Sequence, residues 1–254
     1  MDRPLLLKGP FFIMNTKDFL TLLSVSLLWG ASFLFLRLLV LDGLEPLQIV
    51  SIRMILAALF IAPFFIRKMK KHSFYDHGFS FLLIGLLNTA LPFTMFAYAS
   101  VSLGAGSLSI LQATVPILTA LILFTLYKGE FSYFKLSGVM IGFAGLFLLV
   151  GPSGNLDLFA SILCVVASLS YAIAGVYLAK TPAKISNSFI GMGSIIVGAF
   201  LMAPFLLNYS NPFTTISSTS WLYLALLGIV NTSLAYVIFI KLIKRIGPIN
   251  SSFV

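Results

Sequence analysis

"LLGIVNTSLAYVIFIKLIKRIGPINSSFV", residues 226–254, repeats in outline an earlier stretch, "LIGLLNTALPFTMFAYASVSLGAGSLSIL", residues 83–111. The two align without a gap at an offset of 143 residues. Eight of 29 positions are identical, among them Gly85/Gly228, Asn88/Asn231, Thr89/Thr232, Phe96/Phe239 and Gly104/Gly247. The later copy keeps the apolar frame but carries Lys241, Lys244 and Arg245 where the earlier has Tyr98, Val101 and Ser102. What those three charges mean decides the fold.

The surroundings of the repeat set the solvent. The chain has 254 residues, 59% hydrophobic and 9% charged, with a mean hydropathy of +1.07. A soluble domain carries about 25% charged residues, so this chain cannot cover a surface facing water, and lipid is its solvent. The net charge of +9 does not point to nucleic acid. The positive residues sit in short loops between apolar segments of about 20 residues, the length that crosses a bilayer. Cys164 is the single cysteine and lies in an apolar run. It reads as an inert buried thiol. The N-terminal "MDRPLLLKGPFFIMNTKDF" is too broken by Pro4 and Pro10 to read as a signal peptide.

Eight complete spans follow: Phe19–Val40, Pro46–Ile66, Phe79–Ser100, Ala105–Tyr127, Phe131–Val150, Asp157–Leu178, Ser188–Leu207 and Ser220–Ile240, with a ninth beginning near Pro248. Continuous apolar runs of this length are helices rather than barrel strands. "KLIKRIG" reads as the loop between the eighth and ninth. Arg37 and Arg53 lie within spans. With a cytoplasmic N-terminus, the other Lys and Arg residues all fall on the cytoplasmic side, which sets the orientation.

Five spans separate corresponding helices of the two copies. Five is odd, so the second copy is inverted. The loop after the third span faces outward, and its counterpart after the eighth faces the cytoplasm and takes on the three positive charges. The expected fold is therefore an all-α integral membrane protein, an inverted repeat of five-helix units with ten transmembrane helices when complete. Residues 1–152 form the first repeat and 153–254 the second, which by the offset lacks about 40 residues, so the chain is expected to be truncated after about eight and a half helices.

The chain resembles the EamA family of the drug/metabolite transporter superfamily. The resemblance rests on "SLLWGASF", "QIVSIRMILAA", "LLNTALPFTMFAYA", "GAGSLSILQATVPILTALI" and "KGEFSYFKLSGVMIGFAGLFLLV" in the first copy. The second contributes "ASLSYAIAGVYLAK" and the stretch that opens this section. Their order and spacing carry it more than any one motif. It implies a ten-helix carrier for small metabolites, with a central cavity between the repeats.

Polar residues within spans are the candidates for a substrate site, because hydrocarbon penalises them. Arg53, about seven residues into the second span, reads either as an anion contact facing a cavity or as a structural arginine that snorkels or holds backbone carbonyls. Arg37 reads as snorkelling. Asn88 and Asn231 occupy equivalent positions and either line the cavity or pin helices together. Gln112 precedes Pro116, which frees a carbonyl of the preceding turn, and Pro92 makes a similar break near Asn88. Trp29 and Tyr171 occupy equivalent places in the first and sixth spans, where they either stack on a ligand or fill space. Tyr98 and Tyr236 read as packing residues. Gly138, Gly142 and Gly145 form a small-residue stripe for helix packing or a homodimer face.

No Asp or Glu sits mid-span, so the expected mode is exchange, facilitation, or proton coupling through another group. HExxH, GxSxG and Gly-rich phosphate loops are all missing from the sequence. His72 and His77 lie five apart in a basic loop without metal-ligand spacing. No enzyme activity, cofactor, metal or nucleic-acid partner is expected; a small-molecule substrate and the lipid bilayer are. The functional expectation is a secondary transporter of small metabolites, amino acids or related compounds, in a bacterial inner membrane. The alternatives are a multidrug or metabolite efflux carrier and a truncated, non-functional membrane protein. Tags placed beside Lys70 and beside Lys244 are expected to be accessible from the same, cytoplasmic, face in intact cells; labelling on opposite faces overturns the orientation.

Overall fold

An apolar run in lipid has no water to satisfy its backbone, so each run must close its hydrogen bonds within itself. The computed structural model describes residues 15–69, 77–126, 137–138, 141, 144–145, 148, 157–180, 187–209, 213 and 216–251, and these contain seven helices long and apolar enough to cross a membrane. They correspond to seven of the eight complete spans read from the sequence. The remaining span, Phe131–Val150, lies largely outside the described residues, as does Gly142 of the glycine stripe.

Helix α1 (Thr16–Leu41) starts at a reciprocal cap: the Asp18 N–H donates to the Asn15 side chain at 2.8 Å, and Asn15 Nδ2 donates to Asp18 Oδ2 at 3.0 Å. It ends at Gly43, whose φ of 90° lets the chain turn back so that the Leu44 N–H reaches the Leu39 carbonyl at 3.1 Å. Helix α2 (Pro46–Met69) opens on a proline, which has no N–H to orphan there.

The next two helices are interrupted. Helix α3 runs Gly78–Gly85, widens into a π-turn at Leu86–Ala90 and continues as Leu91–Ser102. Helix α4 is Ala105–Gln112 and Val115–Leu126, broken at Ala113–Thr114. Pro116 lies in the first turn of the second piece and removes the N–H that would have met the Gln112 carbonyl. Helix α5 is Leu158–Lys180, and α6 is Asn187–Met202 tightening into a 3₁₀ turn at Ala203–Asn208. Helix α7 runs Ser218–Ala225, through a π-turn at Leu226–Leu234, into Ala235–Ser251.

That last piece corrects the reading of "KLIKRIG" as a loop before a ninth span: the backbone stays helical through Ser251. The reason is amphipathicity. Leu242, Ile243 and Ile246 are buried while Lys241 and Arg245 are exposed, a helical period that no turn residue interrupts before Gly247. Arg245 Nη1 also meets Asp18 Oδ1 at 2.5 Å, so one of the three charges has a specific partner at the start of α1.

The helices pack by exchange between the two halves of the chain. Helix α2 lies along α6 and along the π-turn of α7, and α3 lies along α6. Glycines set two of these approaches. A Cβ on Gly228 of α7 would stand 2.7 Å from the Arg53 carbonyl of α2, and one on Gly85 of α3 would stand 2.9 Å from the Ser194 carbonyl of α6. The pairing is reciprocal: the repeated glycine of each half sits on the second helix of the other.

Gly228→Ala is therefore expected to destabilise the protein by about 1–3 kcal/mol, because backbone must move to admit the methyl group. Gly30→Ala, whose Cβ would meet nothing within 4 Å, is expected to be neutral or slightly stabilising. Thermal unfolding of the three proteins in one detergent checks both.

Candidate substrate cavity

Trp29, Arg53, Asn88, Gln112, Tyr171 and Asn231 come from α1, α2, α3, α4, α5 and α7, and all six line one cavity. It encloses about 940 Å³ of space free of atoms, its open mouth included.

The site is organised by the two π-turns. A π-turn carries one extra residue, so a carbonyl drops out of the helical ladder. In α7 the Ala235 N–H points to Val230 and Thr232 and bypasses the Asn231 carbonyl. Trp29 Nε1 of α1 donates to that carbonyl at 2.9 Å. In α3 the Leu91 N–H reaches Leu86 and bypasses Leu87, and Ser170 Oγ of α5 donates to the Leu87 carbonyl at 2.6 Å. Aromatic contacts follow the same exchange: Trp29 stands edge-on to Phe239 at 4.7 Å, and Tyr171 stacks on Phe96 at 6.2 Å.

The two asparagines differ. Asn231 Nδ2 donates to Ser32 Oγ at 2.9 Å, so this residue ties α7 to α1 through both its amide and its carbonyl. Asn88 is 7% exposed and lines the cavity, and among the described residues its amide has no hydrogen-bond partner. Pro92, four residues on, has no N–H for the Asn88 carbonyl. Gln112 is half-buried at the break in α4.

Arg53 is 6% exposed, which excludes snorkelling. Its Nε donates to Thr232 Oγ1 at 2.8 Å, and the Thr232 hydroxyl donates onward to the Leu227 carbonyl at 2.7 Å. The guanidinium carbon lies 3.7 Å from the centroid of the Phe93 ring, a cation–π contact. Arg53 is the one charged side chain among the described lining residues.

Arg37 lies elsewhere and does not simply snorkel. Its Nη1 donates to the carbonyls of Ser100 and, at 2.9 Å, Val101, capping the end of α3 with positive charge. Tyr98 is exposed, whereas Tyr236 is buried and lines the cavity. Cys164 is free and fully buried. Among the described residues no cluster of His, Cys, Asp or Glu could hold a metal. At the end of α1, Asp42 Oδ2 accepts from Ser220 Oγ and, at 3.0 Å, from Ser217 Oγ. These bonds hold its carboxyl below the usual carboxylate range.

Sequence reasoning passed over Thr232, Phe93, Phe96, Phe239 and Ser32 as lining residues. Thr232 and Phe239 were legible in principle, since the repeat alignment marks them beside Asn231. Phe93 and Ser32 carry no such mark.

Among the described residues, seven helices long and apolar enough to cross a membrane surround a largely apolar cavity with a few polar groups, the build of a multi-pass membrane protein. The chain belongs to the EamA-like transporter family, which it matches over residues 16–151 and 158–254. It is 25% identical over 247 residues to the uncharacterized transporter YoaV of Bacillus subtilis (strain 168), covering 93% of this chain and 82% of that one. An uncharacterized transporter of Archaeoglobus fulgidus (strain ATCC 49558 / DSM 4304 / JCM 9628 / NBRC 100126 / VC-16) is 30% identical over 241 residues, covering 89% of this chain and 80% of its own. A solved crystal structure shares the fold, with a TM-score of 0.63 at 13% identity over 94% of this chain and 86% of that one.

The asparagines are expected to respond differently to substitution. Asn231→Leu removes the amide that donates to Ser32 Oγ, leaving that hydroxyl only its bond to the Leu28 carbonyl, and is expected to lose about 1–2 kcal/mol of stability; Asn88→Leu removes an amide that faces the cavity and holds no other helix, and is expected to be neutral or stabilising. Equal losses in thermal unfolding overturn this division of roles.

Proposed function

We propose that the chain is a secondary transporter that moves small metabolites, amino acids or related compounds, by alternating access across a bacterial inner membrane, with its N-terminus cytoplasmic. In this reading, residues 1–152 and 153–254 are repeats of opposite orientation, and Trp29, Arg53, Asn88, Gln112, Tyr171 and Asn231 form the substrate site between them. The observation that carries the reading is their convergence: six polar or aromatic residues from six helices face one cavity within the spans. The reciprocal packing of the halves supports the inverted relation, because each π-turn takes its extra donor from the first helix of the other half. Inverted repeats with a midplane site are a common build of carriers that expose the site alternately to each side.

One observation favours the second reading, efflux of drug-like compounds. Seven aromatic side chains line the cavity, Trp29, Phe33, Phe93, Phe96, Tyr171, Tyr236 and Phe239. Both readings meet the same assay. The purified chain in liposomes is expected to take up members of an amino-acid and organic-acid panel and not a panel of lipophilic cations; the reverse pattern selects the efflux reading, and transport of neither panel overturns both.

No acidic side chain occurs among the described lining residues, so transport is expected to continue when the proton gradient is collapsed and the electrical potential held. Loss of transport under that condition overturns the exchange or facilitated mode.

A further inference from the structure

We infer that the occupant of the cavity is a monocarboxylate with an apolar, ring-sized body and no positive charge of its own, its carboxylate held by the outer edge of the Arg53 guanidinium. The inference rests on the cavity being the transport site, and within the class proposed above it selects the organic acids related to amino acids over the zwitterionic amino acids themselves.

The charge pattern selects the head group. Arg53 is already committed on two sides, with Nε on Thr232 and one face on Phe93. Its two Nη groups have no carboxylate partner among the described residues, and they form the edge that meets a carboxylate through two parallel hydrogen bonds. The Thr232 hydroxyl is itself fixed by the Leu227 carbonyl, so the direction of this edge is set before any ligand arrives. Asn88, unpartnered, adds an amide that can donate to a carboxylate or a neighbouring carbonyl.

The same pattern sets the number of charges. One buried cation balances one negative charge. A phosphate ester carries close to two at neutral pH, and the excess would remain unpaired where desolvation is severe. A zwitterion brings an ammonium group, and no acidic side chain occurs among the described lining residues to receive it. The body is selected by the walls. The Trp29–Phe239 and Tyr171–Phe96 pairs in the lining offer apolar ring surface for a ring or a branched aliphatic chain.

Isothermal titration calorimetry on the purified full chain tests this with ligands that share one ring and differ in charge: phenylpyruvate, phenylalanine, phenethylamine and the dianion benzylmalonate. Phenylpyruvate is expected to bind about tenfold to a hundredfold more tightly than phenethylamine, the range of a charge-assisted hydrogen-bond pair, and more tightly than the other two, whose additional charge meets no opposite charge among the described lining residues. Phenylalanine binding as tightly overturns the exclusion of zwitterions and leaves the cavity as the site. Benzylmalonate binding as tightly overturns the single charge. If none of the four binds and the liposome panel is also silent, the transport reading falls too; if the panel is transported, only the narrowing falls. Arg53→Gln, checked for an unchanged melting temperature, is expected to lose the preference for phenylpyruvate, and an unaltered preference overturns the role of Arg53. Should that variant not fold, the series on the unaltered chain still decides.

Discussion

A carbonyl that leaves its helical ladder inside a membrane has no water to turn to. Its partner must come from another helix, and that partner then fixes where the other helix lies. Both π-turns impose this condition, one at Asn231 and one at Leu87, and the donors that answer it, Trp29 and Ser170, come from α1 and α5. The rest of the site hangs on these bonds. The same turn in α7 carries Gly228, whose missing side chain lets the backbone approach α2 at Arg53. It also carries Thr232, which meets Arg53 as a consequence.

Arg53 shows what such a scaffold tolerates. An arginine at mid-helix costs about 2.5–3.5 kcal/mol on insertion scales. One charge-assisted hydrogen bond to Thr232 and the face of Phe93 at 3.7 Å offset part of that, since a desolvated cation–π contact contributes about 2 kcal/mol. A purely structural arginine would have its remaining donors on backbone carbonyls, as Arg37 has at the end of α3. The contrast between these two arginines, more than burial alone, separates a guanidinium that lines the cavity from one that caps a helix.

The spans were legible because crossing a bilayer demands length and apolarity together, and these are properties of composition. That six residues singled out in the sequence line one cavity has the complementary reason: hydrocarbon makes each polar side chain conspicuous. Partnership was not legible. Nothing in the sequence separates Asn88, with a free amide, from Asn231, which holds Ser32; the difference arises from which helix lies opposite. The π-turns were also invisible, since "LLNTA" reads as ordinary helix, and so were the Phe93 and Thr232 contacts that depend on them. The helical course of Lys241–Ile246 was legible and misread: its charges were weighed as a loop signal when their spacing was that of an amphipathic face.

The hydrogen bonds also sort the helices into two sets. Helix α1 is tied to α7 along its whole length, by Asp18 to Arg245, Trp29 to Asn231, and Asp42 to Ser217 and Ser220. Helix α2 joins them through Arg53 to Thr232 and through the Ala57 carbonyl to Ser233. Helices α3 and α5 are tied by Ser170 to Leu87 and by Ser80 to Tyr177, while Gly85 seats α6 on α3. Among the polar links that cross between the sets, Arg37 to Ser100 and Val101 and Ser51 to Met202 lie where α1 and α3 finish, α2 begins and α6 tightens. At the other end of α2, Phe65 stacks on Phe189 at 5.0 Å, an apolar contact with no direction to lose. Two bodies that rocked over the cavity would break directed bonds at one end and slide a ring contact at the other. Arg53 belongs to one body and Asn88 to the other, so a ligand held by both would register their relative position. That coupling is what alternating access requires of a substrate site.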